Sequence, residues 1–493
     1  MTVVDDSLGR VTRRRTLSQA TRVARRRRHA AAAAAVLVLA GVALRLALAV
    51  WRPLWADEIF TIELARRPVA EILAALRVDS GPPLHYLLAR LCLLPFPSPG
   101  VTDVVPRLLS VLAWAGHVPL LIRVGRRLGG EERGALAAVL LSLLPIPVYF
   151  GAEGRGYLVA SLLLLAALDG VLALRERPGR GRAVGTGLLA GAAFLTHYLS
   201  AFPLLALATL LRGAPSRSRR SLFLAAVVAL AVVTPWLPVL LSQPRASMAW
   251  VVPEPVPDRV ARLLVNAVLG FDLPGRKVML VGLGALLLLV LVVRASRPRD
   301  LAVPLLAAAL GAQLAAGTIL PRLLLPERSA VLLLPIAALV VAGAGRAPAL
   351  GLTALGAVLL ALQAPGWWAT PPLADVASRL APVLREGDRV VAAGLAGPEL
   401  RYRLLRAGRP GAVLLFPPDV EAHPGWYHED GLADARLVRE AARALAREPR
   451  ARFLVLPHGL RASAALRAAA DERGRRTLGV SPLFEVSELG APP

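Results

Sequence analysis

The sequence predicts a polytopic α-helical membrane protein of about eleven spanning helices, followed by a C-terminal α/β domain. Three observations carry this expectation. Hydrophobic residues fill 56% of 493 positions and the mean hydropathy is +0.58, more apolar surface than a soluble core can bury. Apolar runs approaching the thickness of a bilayer recur along residues 29–364. Beyond residue 365 the pattern changes to short strand-like runs alternating with helical ones.

The chain opens with a basic tail, residues 1–28, in which Arg13 to Arg15 and Arg25 to Arg28 precede the first apolar run. The positive-inside rule places this tail in the cytoplasm. The run His29 to Val50 is too long for the apolar region of a signal peptide and is expected to stay as a spanning helix. The formal charge of +25 is not read as a nucleic-acid signal. Lys277 is the single lysine, and arginine rises together with alanine and leucine, as a G+C-rich coding sequence would give. Cys92 is the one cysteine, which excludes an intrachain disulfide framework and a multi-cysteine metal site.

Further spans are expected near 104–122, 134–150, 157–174, 183–196, 199–211, 221–241, 277–293, 301–320, 330–345 and 348–364. Alternate connections are rich in arginine: Arg123, Arg126, Arg127 and Arg133; Arg175, Arg177, Arg180 and Arg182; Arg212, Arg217, Arg219 and Arg220; Arg294, Arg297 and Arg299. These share the cytoplasmic side with the tail. An odd number of spans then leaves residues 365–493 outside as an extracytoplasmic domain, with Trp367 and Trp368 as interfacial anchors.

The first outer loop, 51–100, holds two amphipathic stretches. Val69, Ile72, Leu73 and Leu76 repeat at helical spacing behind Pro68, and Leu84, Leu87, Leu88, Leu91 and Leu94 follow Pro82 and Pro83. Both read as helices lying along the membrane surface. In the C-terminal domain, 373–385, 398–406, 432–448 and 460–474 read as helices. Between them, 389–393, 412–416 and 452–456 read as strands of a small parallel sheet. That domain contains no Gly-rich phosphate loop, no HExxH and no GxSxG.

Polar residues able to do chemistry gather on the outer side. Asp57 and Glu58 are adjacent carboxylates just past the first span, where an unpaired charge is costly, about 2.5–3.5 kcal/mol at helix-centre depth. Asp79, His85 and Tyr86 flank the turn set by Pro82 and Pro83. Glu153, Arg155 and Tyr157 sit between two apolar runs, His197 and Tyr198 occupy the next outer turn, and Arg328 a later one. Nucleotide sugars and ATP are cytoplasmic, and no soluble cytoplasmic domain is evident to bind them. A transferase acting outside needs a lipid-borne donor, a carboxylate to take the acceptor proton, and cations for the leaving phosphate.

As an ordered set these residues resemble the GT-C superfamily of integral membrane glycosyltransferases, in the branch of protein O-mannosyltransferases and lipid A aminoarabinose transferases. The likeness rests on AspGlu at 57–58, AspSerGlyProProLeuHisTyr at 79–86, GluGlyArgGlyTyr at 153–157, ThrHisTyr at 196–198, and Arg328 seven residues before Pro335. It spans residues 36–345 and implies a GT-C-like transmembrane domain over 29–364. The resemblance implies an inverting single displacement with Asp57 as base and Glu58 its neighbour in the site. Arg155 and Arg328 would partner the donor phosphate and His197 would line the same cavity, with Asp79, His85, Tyr86, Glu153, Tyr157 and Tyr198 as further substrate-binding candidates. The implied partners are a polyprenyl-phosphate sugar, the bilayer, and a glycan, lipid or protein acceptor, without nucleic acid. It assigns no metal ligands and leaves a divalent cation open, since some branches use a metal and others do not. The chain departs from the family pattern at Ser329, where an aromatic residue often follows the arginine, and at Gly81, where a polar residue often precedes the prolines. A transporter or flippase, or a membrane scaffold, is the competing reading.

Overall fold

The computed structural model describes residues 3–79, 81–96, 103–243, 300–319, 326–425 and 434–491, with single residues between 255 and 270. The expected span at 277–293, Lys277, Ser80 and the arginines at 294, 297 and 299 lie outside the described residues. So do the side chains of Arg13 to Arg15.

The membrane part is a helical bundle. It comprises α1 (Val3–Trp51), α2 (Ala56–Ala65), α3 (Val69–Val78), α4 (Leu84–Leu93), α5 (Val105–Leu128), α6 (Glu131–Leu143) and α7 (Pro145–Phe150). These are followed by α8 (Tyr157–Glu176), α9 (Arg180–Thr196), α10 (Tyr198–Leu211) and α11 (Ser216–Ser242). The bundle is completed by α12 (Ala302–Ile319), α13 (Pro326–Ala344) and α14 (Arg346–Trp367). Among the described residues, 6 helical segments are long and apolar enough to cross a bilayer: within α1, α5, α8, α11, α12, and from Arg346 onward. The other expected runs among the described residues form shorter helices. The run 134–150 is not one span but two helices, because Leu144 is extended (ψ 137) ahead of Pro145, a residue that disfavours helix at the position before it. Close approach rests on small residues: a Cβ on Gly125 of α5 would lie 2.3 Å from the backbone nitrogen of Gly134 in α6, so the two backbones touch there.

Local expectations change at α2, α3, α4 and Arg133. Residues 56–65 form a helix where a loop was expected, with Asp57 and Glu58 in its first turn, where carboxylates favour the positive end of the helix dipole. The apolar face of α3 is not offered to lipid: Ile72 and Leu76 are fully buried, packed with Phe60, Leu64, Tyr86 and Trp236. On α4, Leu91 remains exposed while His85, Tyr86, Ala89 and Leu93 turn inward. Arg133 is not a loop cation either. It is buried on α6, 2.9 Å from Asp300, and donates to the Leu339 carbonyl at 2.7 Å.

The C-terminal part contains α15 (Pro372–Leu380), β1 (Arg389–Ala393), α16 (Ala396–Arg406), β2 (Val413–Phe416) and α17 (Asp419–Ala422). Beyond these come α18 (Ala435–Ala446), β3 (Ala451–Pro457), α19 (Arg461–Asp471), β4 (Arg476–Val480) and β5 (Phe484–Glu488). The sheet order is β2-β1-β3-β5-β4. The three expected strands are parallel, with Val390 opposite Val413 and Val391 opposite Leu454. The expectation of an all-parallel sheet is corrected by β4 and β5, an antiparallel hairpin paired to β3. Every residue of β4 is exposed, so no buried-face pattern marks it in the sequence. Alternation along β1 sends Val390 and Ala392 into one core and Val391 and Ala393 into the other, as the period of two requires.

This sheet domain docks on the start of the bundle through α16. Tyr402 packs with Leu54, Ile59 and Ile62. The neighbouring segment reaches α2 and α3: Arg67 donates to the carbonyls of Ala422 (2.5 Å) and Glu421 (3.2 Å), and the His423 ring lies 5.4 Å from that of Phe60.

Candidate active site

Successive residues on a helix point about 100° apart, so Asp57 and Glu58 part company at the start of α2. Glu58 turns inward and is 1% exposed. Arg107, from the first turn of α5, meets it with both arms of its fork, Nε to Oε1 at 2.7 Å and Nη2 to Oε2 at 2.6 Å. Arg52 Nη2 (3.3 Å), the Gly154 N–H (2.9 Å) and the Trp55 N–H (3.4 Å) donate to the same carboxylate. The rest of the Arg107 guanidinium donates to the carbonyls of Ala49, Arg52 and Pro53 at 3.1, 2.6 and 3.0 Å. Burial works to raise the Glu58 carboxyl, yet Arg107, Arg52 and the Gly154 N–H hold it below its ordinary value. Glu58, expected beside Asp57 in the site, is a structural knot instead: its oxygens are occupied by protein donors, and it ties the end of α1, α2, α5 and the 151–156 turn together.

Asp57 stays about one-third exposed and faces two cations, with Oδ2 3.4 Å from Arg328 Nη2 and 4.0 Å from Arg155 Nη2. Arg155 is fixed from behind, donating to Tyr86 OH (3.1 Å), Thr61 Oγ1 (3.2 Å) and the Asp57 carbonyl (3.5 Å). Arg328 stands 5.9 Å over the Tyr157 ring, and Tyr157 meets His197 at 4.9 Å. One carboxylate, two arginines, two tyrosines and a histidine thus converge from α2, α4, α8, α13 and two turns. The site lies at the Tyr157 end of α8. The opposite end of that helix carries Asp169, held by Arg123 (2.7 Å) and Arg127 (2.9 Å).

The remaining expected residues divide into two groups. His85 is buried behind Arg155 and donates from Nε2 to the Gly154 carbonyl at 3.1 Å. Burial and the Arg155 charge pull its imidazole down to about 4, and burial with Arg328 and Arg155 pulls His197 down to about 3, so both rings are neutral near pH 7. Glu153 is fully buried, and among the described residues neither carboxyl oxygen has a hydrogen-bond partner. Burial pushes this carboxyl up to about 8 despite Arg52, with Glu58 adding to the rise. Asp79 and Tyr198 form the second group. Tyr198 accepts from Trp236 Nε1 at 2.8 Å and donates to the Gly81 carbonyl at 3.4 Å, and Asp79 ends α3.

Sequence reading missed Arg52, Arg107, Thr61 and Ser110, whose hydroxyl donates to the Glu153 carbonyl at 2.6 Å. A signal existed for Arg107, since a charge inside an otherwise apolar run is costly unless paired. No three His, Cys, Asp or Glu side chains among the described residues converge to hold a metal ion.

Residues 80–238 match the model of the dolichyl-phosphate-mannose-protein mannosyltransferase family. No curated protein sequence matches the chain. The fold is similar to that of the Archaeoglobus fulgidus oligosaccharyltransferase. Its complex with Zn and sulfate has a TM-score of 0.53 at 14% identity, covering 85% of this chain and 68% of that one. The same enzyme tethered to an acceptor peptide gives 0.52 at 11% identity, covering 92% and 74%. ArnT from Cupriavidus metallidurans, bound to undecaprenyl phosphate, aligns at 0.49 and 16% identity over 92% of this chain and 97% of that one. By their names, the matched family transfers mannose from dolichyl phosphate to protein and the Archaeoglobus fulgidus enzyme transfers oligosaccharide.

Proposed function

We propose that this chain, a multi-pass membrane protein with the GT-C fold, transfers a sugar from a polyprenyl-phosphate donor to an acceptor hydroxyl on the extracytoplasmic side. One observation carries the reading: an accessible carboxylate, Asp57, facing Arg328 and Arg155 at 3.4 and 4.0 Å. A base and the cations for a leaving phosphate are what such a transfer requires at one point. The description of the matched family, which has a dolichyl-phosphate-mannose donor, supports the donor class.

In this reading the donor phosphate takes the arginine fork, displacing the Asp57 carboxylate into its role as base. Asp57 accepts the proton of the acceptor hydroxyl, whose oxygen forms the new bond to the anomeric carbon. The bond from that carbon to the phosphate oxygen breaks on the opposite face, and its electron pair leaves with the phosphate, stabilised by Arg155 and Arg328. The configuration inverts, and no covalent enzyme intermediate forms. Tyr86 and Thr61 hold Arg155, Tyr157 backs Arg328, and neutral His85 and His197 wall the site. Glu58 positions α2 through Arg107 and does not touch substrate. The tail 1–28 lies in the cytoplasm, the transferase part spans 29–364, and the sheet domain 365–493 lies outside.

A transporter would keep ionisable groups along a path through the bilayer. Here Arg45, within α1, is locked by carbonyls of Gly41, Leu141 and Ser142 at 2.9–3.1 Å, and Asp169 by two arginines, which weighs against that alternative. The test supplies membranes holding the wild type or Asp57→Asn with radiolabelled polyprenyl-phosphate mannose, then other polyprenyl-phosphate sugars. Label leaving the lipid with the wild type, and a loss of about 10²–10⁴-fold in the variant, is expected. Equal transfer by both removes Asp57 from the role of base; transfer by neither, with every donor, refutes the enzyme.

A further inference from the structure

We infer that the C-terminal sheet domain is a positioning device for α2, acting through Tyr402, Arg403 and Arg406 of α16; this rests on the reading of Asp57, a residue of α2, as the base. The helix α2 has 10 residues, below the roughly 12–15 at which an isolated helix becomes even marginal in water, so its place is set by what packs on it. One side meets α4 and α5, and another meets α16.

The α16 contacts fall at the two ends of the buried Glu58–Arg107 knot. On the α2 side, Arg403 Nη2 donates to the Leu54 carbonyl at 2.8 Å, two residues before α2 begins. The Tyr402 ring inserts among Leu54, Ile59 and Ile62, and is 2% exposed. On the α5 side, the Tyr402 hydroxyl donates to Asp103 Oδ1, and Arg406 Nη2 lies 3.0 Å from Asp103 Oδ2. Asp103 stands just ahead of α5, which carries Arg107. One turn of α16 therefore bridges the two elements that the knot joins, and fixes their separation from the solvent side. Further along α2, Glu63 lies 3.8 Å from Arg401, and the Phe60 ring is covered by His423 and meets Tyr86 edge-on at 5.8 Å. The donor-phosphate arginines also have anchors outside α2: Arg155 donates to Tyr86 OH of α4 at 3.1 Å, and Arg328 stands 5.9 Å over the Tyr157 ring of α8. Loosening α16 should move the base relative to the arginines while leaving the arginines in place.

Full-length protein in lipid nanodiscs, wild type against Tyr402→Phe/Arg406→Ala, tests this. The double variant keeps the ring in its pocket and removes both attachments to Asp103. Amide hydrogen exchange is read at residues 56–65 and, as a check on the domain's own folding, in β1 and β3. Asp103→Ala makes the same cut from the other side. We expect faster exchange at 56–65 with β1 and β3 unchanged, and kcat lower by about 10- to 100-fold, as displacement of a reacting group by about 1 Å costs, with donor KM within twofold. Unchanged exchange at 56–65 in both variants overturns the inference. So does faster exchange there with kcat unaltered, or a loss expressed only in donor KM. If Asp57→Asn keeps full transfer, the reading of the base fails instead, and the exchange experiment still decides whether α16 holds α2.

Discussion

The Glu58–Arg107 pair gives the sharpest stability prediction. Glu58→Gln conserves volume and removes the negative charge, leaving Arg107, 2% exposed, as a buried cation that faces one amide oxygen and three carbonyls in place of a carboxylate, with Arg52 beside it. Removing one partner of a buried pair costs about 3–5 kcal/mol, because the other charge is left uncompensated. The five donors aimed at this carboxylate put Glu58 at the upper part of that range. For a chain of this size the unfolding entropy scales to about 1 kcal/mol per degree, so the melting temperature in detergent should fall by about 3–5 °C. The double variant Glu58→Leu/Arg107→Met, which replaces the pair with apolar groups of similar volume, should recover more than half of the loss. A melting temperature within about 1 °C of wild type for Glu58→Gln, or a double variant no more stable than the single one, would refute the assignment of Glu58 as a structural knot. Transfer should fall with it, since Asp57 sits on the same turn.

The other predictions concern the cations and the titrating groups. Arg155→Ala and Arg328→Ala should each raise donor KM and lower kcat, and Arg155→Lys should restore less than half, because lysine cannot bridge Tyr86 and Thr61 while facing the phosphate; kinetics with a polyprenyl-phosphate sugar measures this. Glu153 has a folded-state value raised to about 8 from the ordinary 4.5. Its contribution is present below about 4.5 and lost as pH rises through about 8, so Glu153→Gln should melt higher than wild type at pH 9 and no higher at pH 4, by thermal denaturation at the two values. His85 and His197 are depressed to about 4 and about 3 from 6.5. Their contribution is present above 6.5 and lost as pH falls toward those values, so the melting temperature should decline between pH 6.5 and 4. His85→Asn should flatten that decline.

The apolar runs alone determined most of the bundle, because a helix that must satisfy its own backbone in hydrocarbon needs only length and apolar composition. The order of strands and helices from 389 to 474 was legible for a similar reason: period and β-branching are local properties. So was the set Asp57, Arg155 and Arg328, since charges placed beside membrane spans stand out against an apolar background. What sequence could not supply was direction. Neighbouring Asp57 and Glu58 are alike in type, and only the arrival of Arg107 from 49 positions away makes one a buried anchor and leaves the other facing the site. The same holds for α3, whose apolar face looks ready for lipid until α2 and Trp236 cover it, and for Arg133, a cation that Asp300 and the Leu339 carbonyl draw into the interior. In each case the chain fixes which side chains are apolar or charged, whereas burial and pairing depend on which distant surfaces meet, and that is decided by the packing of the whole fold.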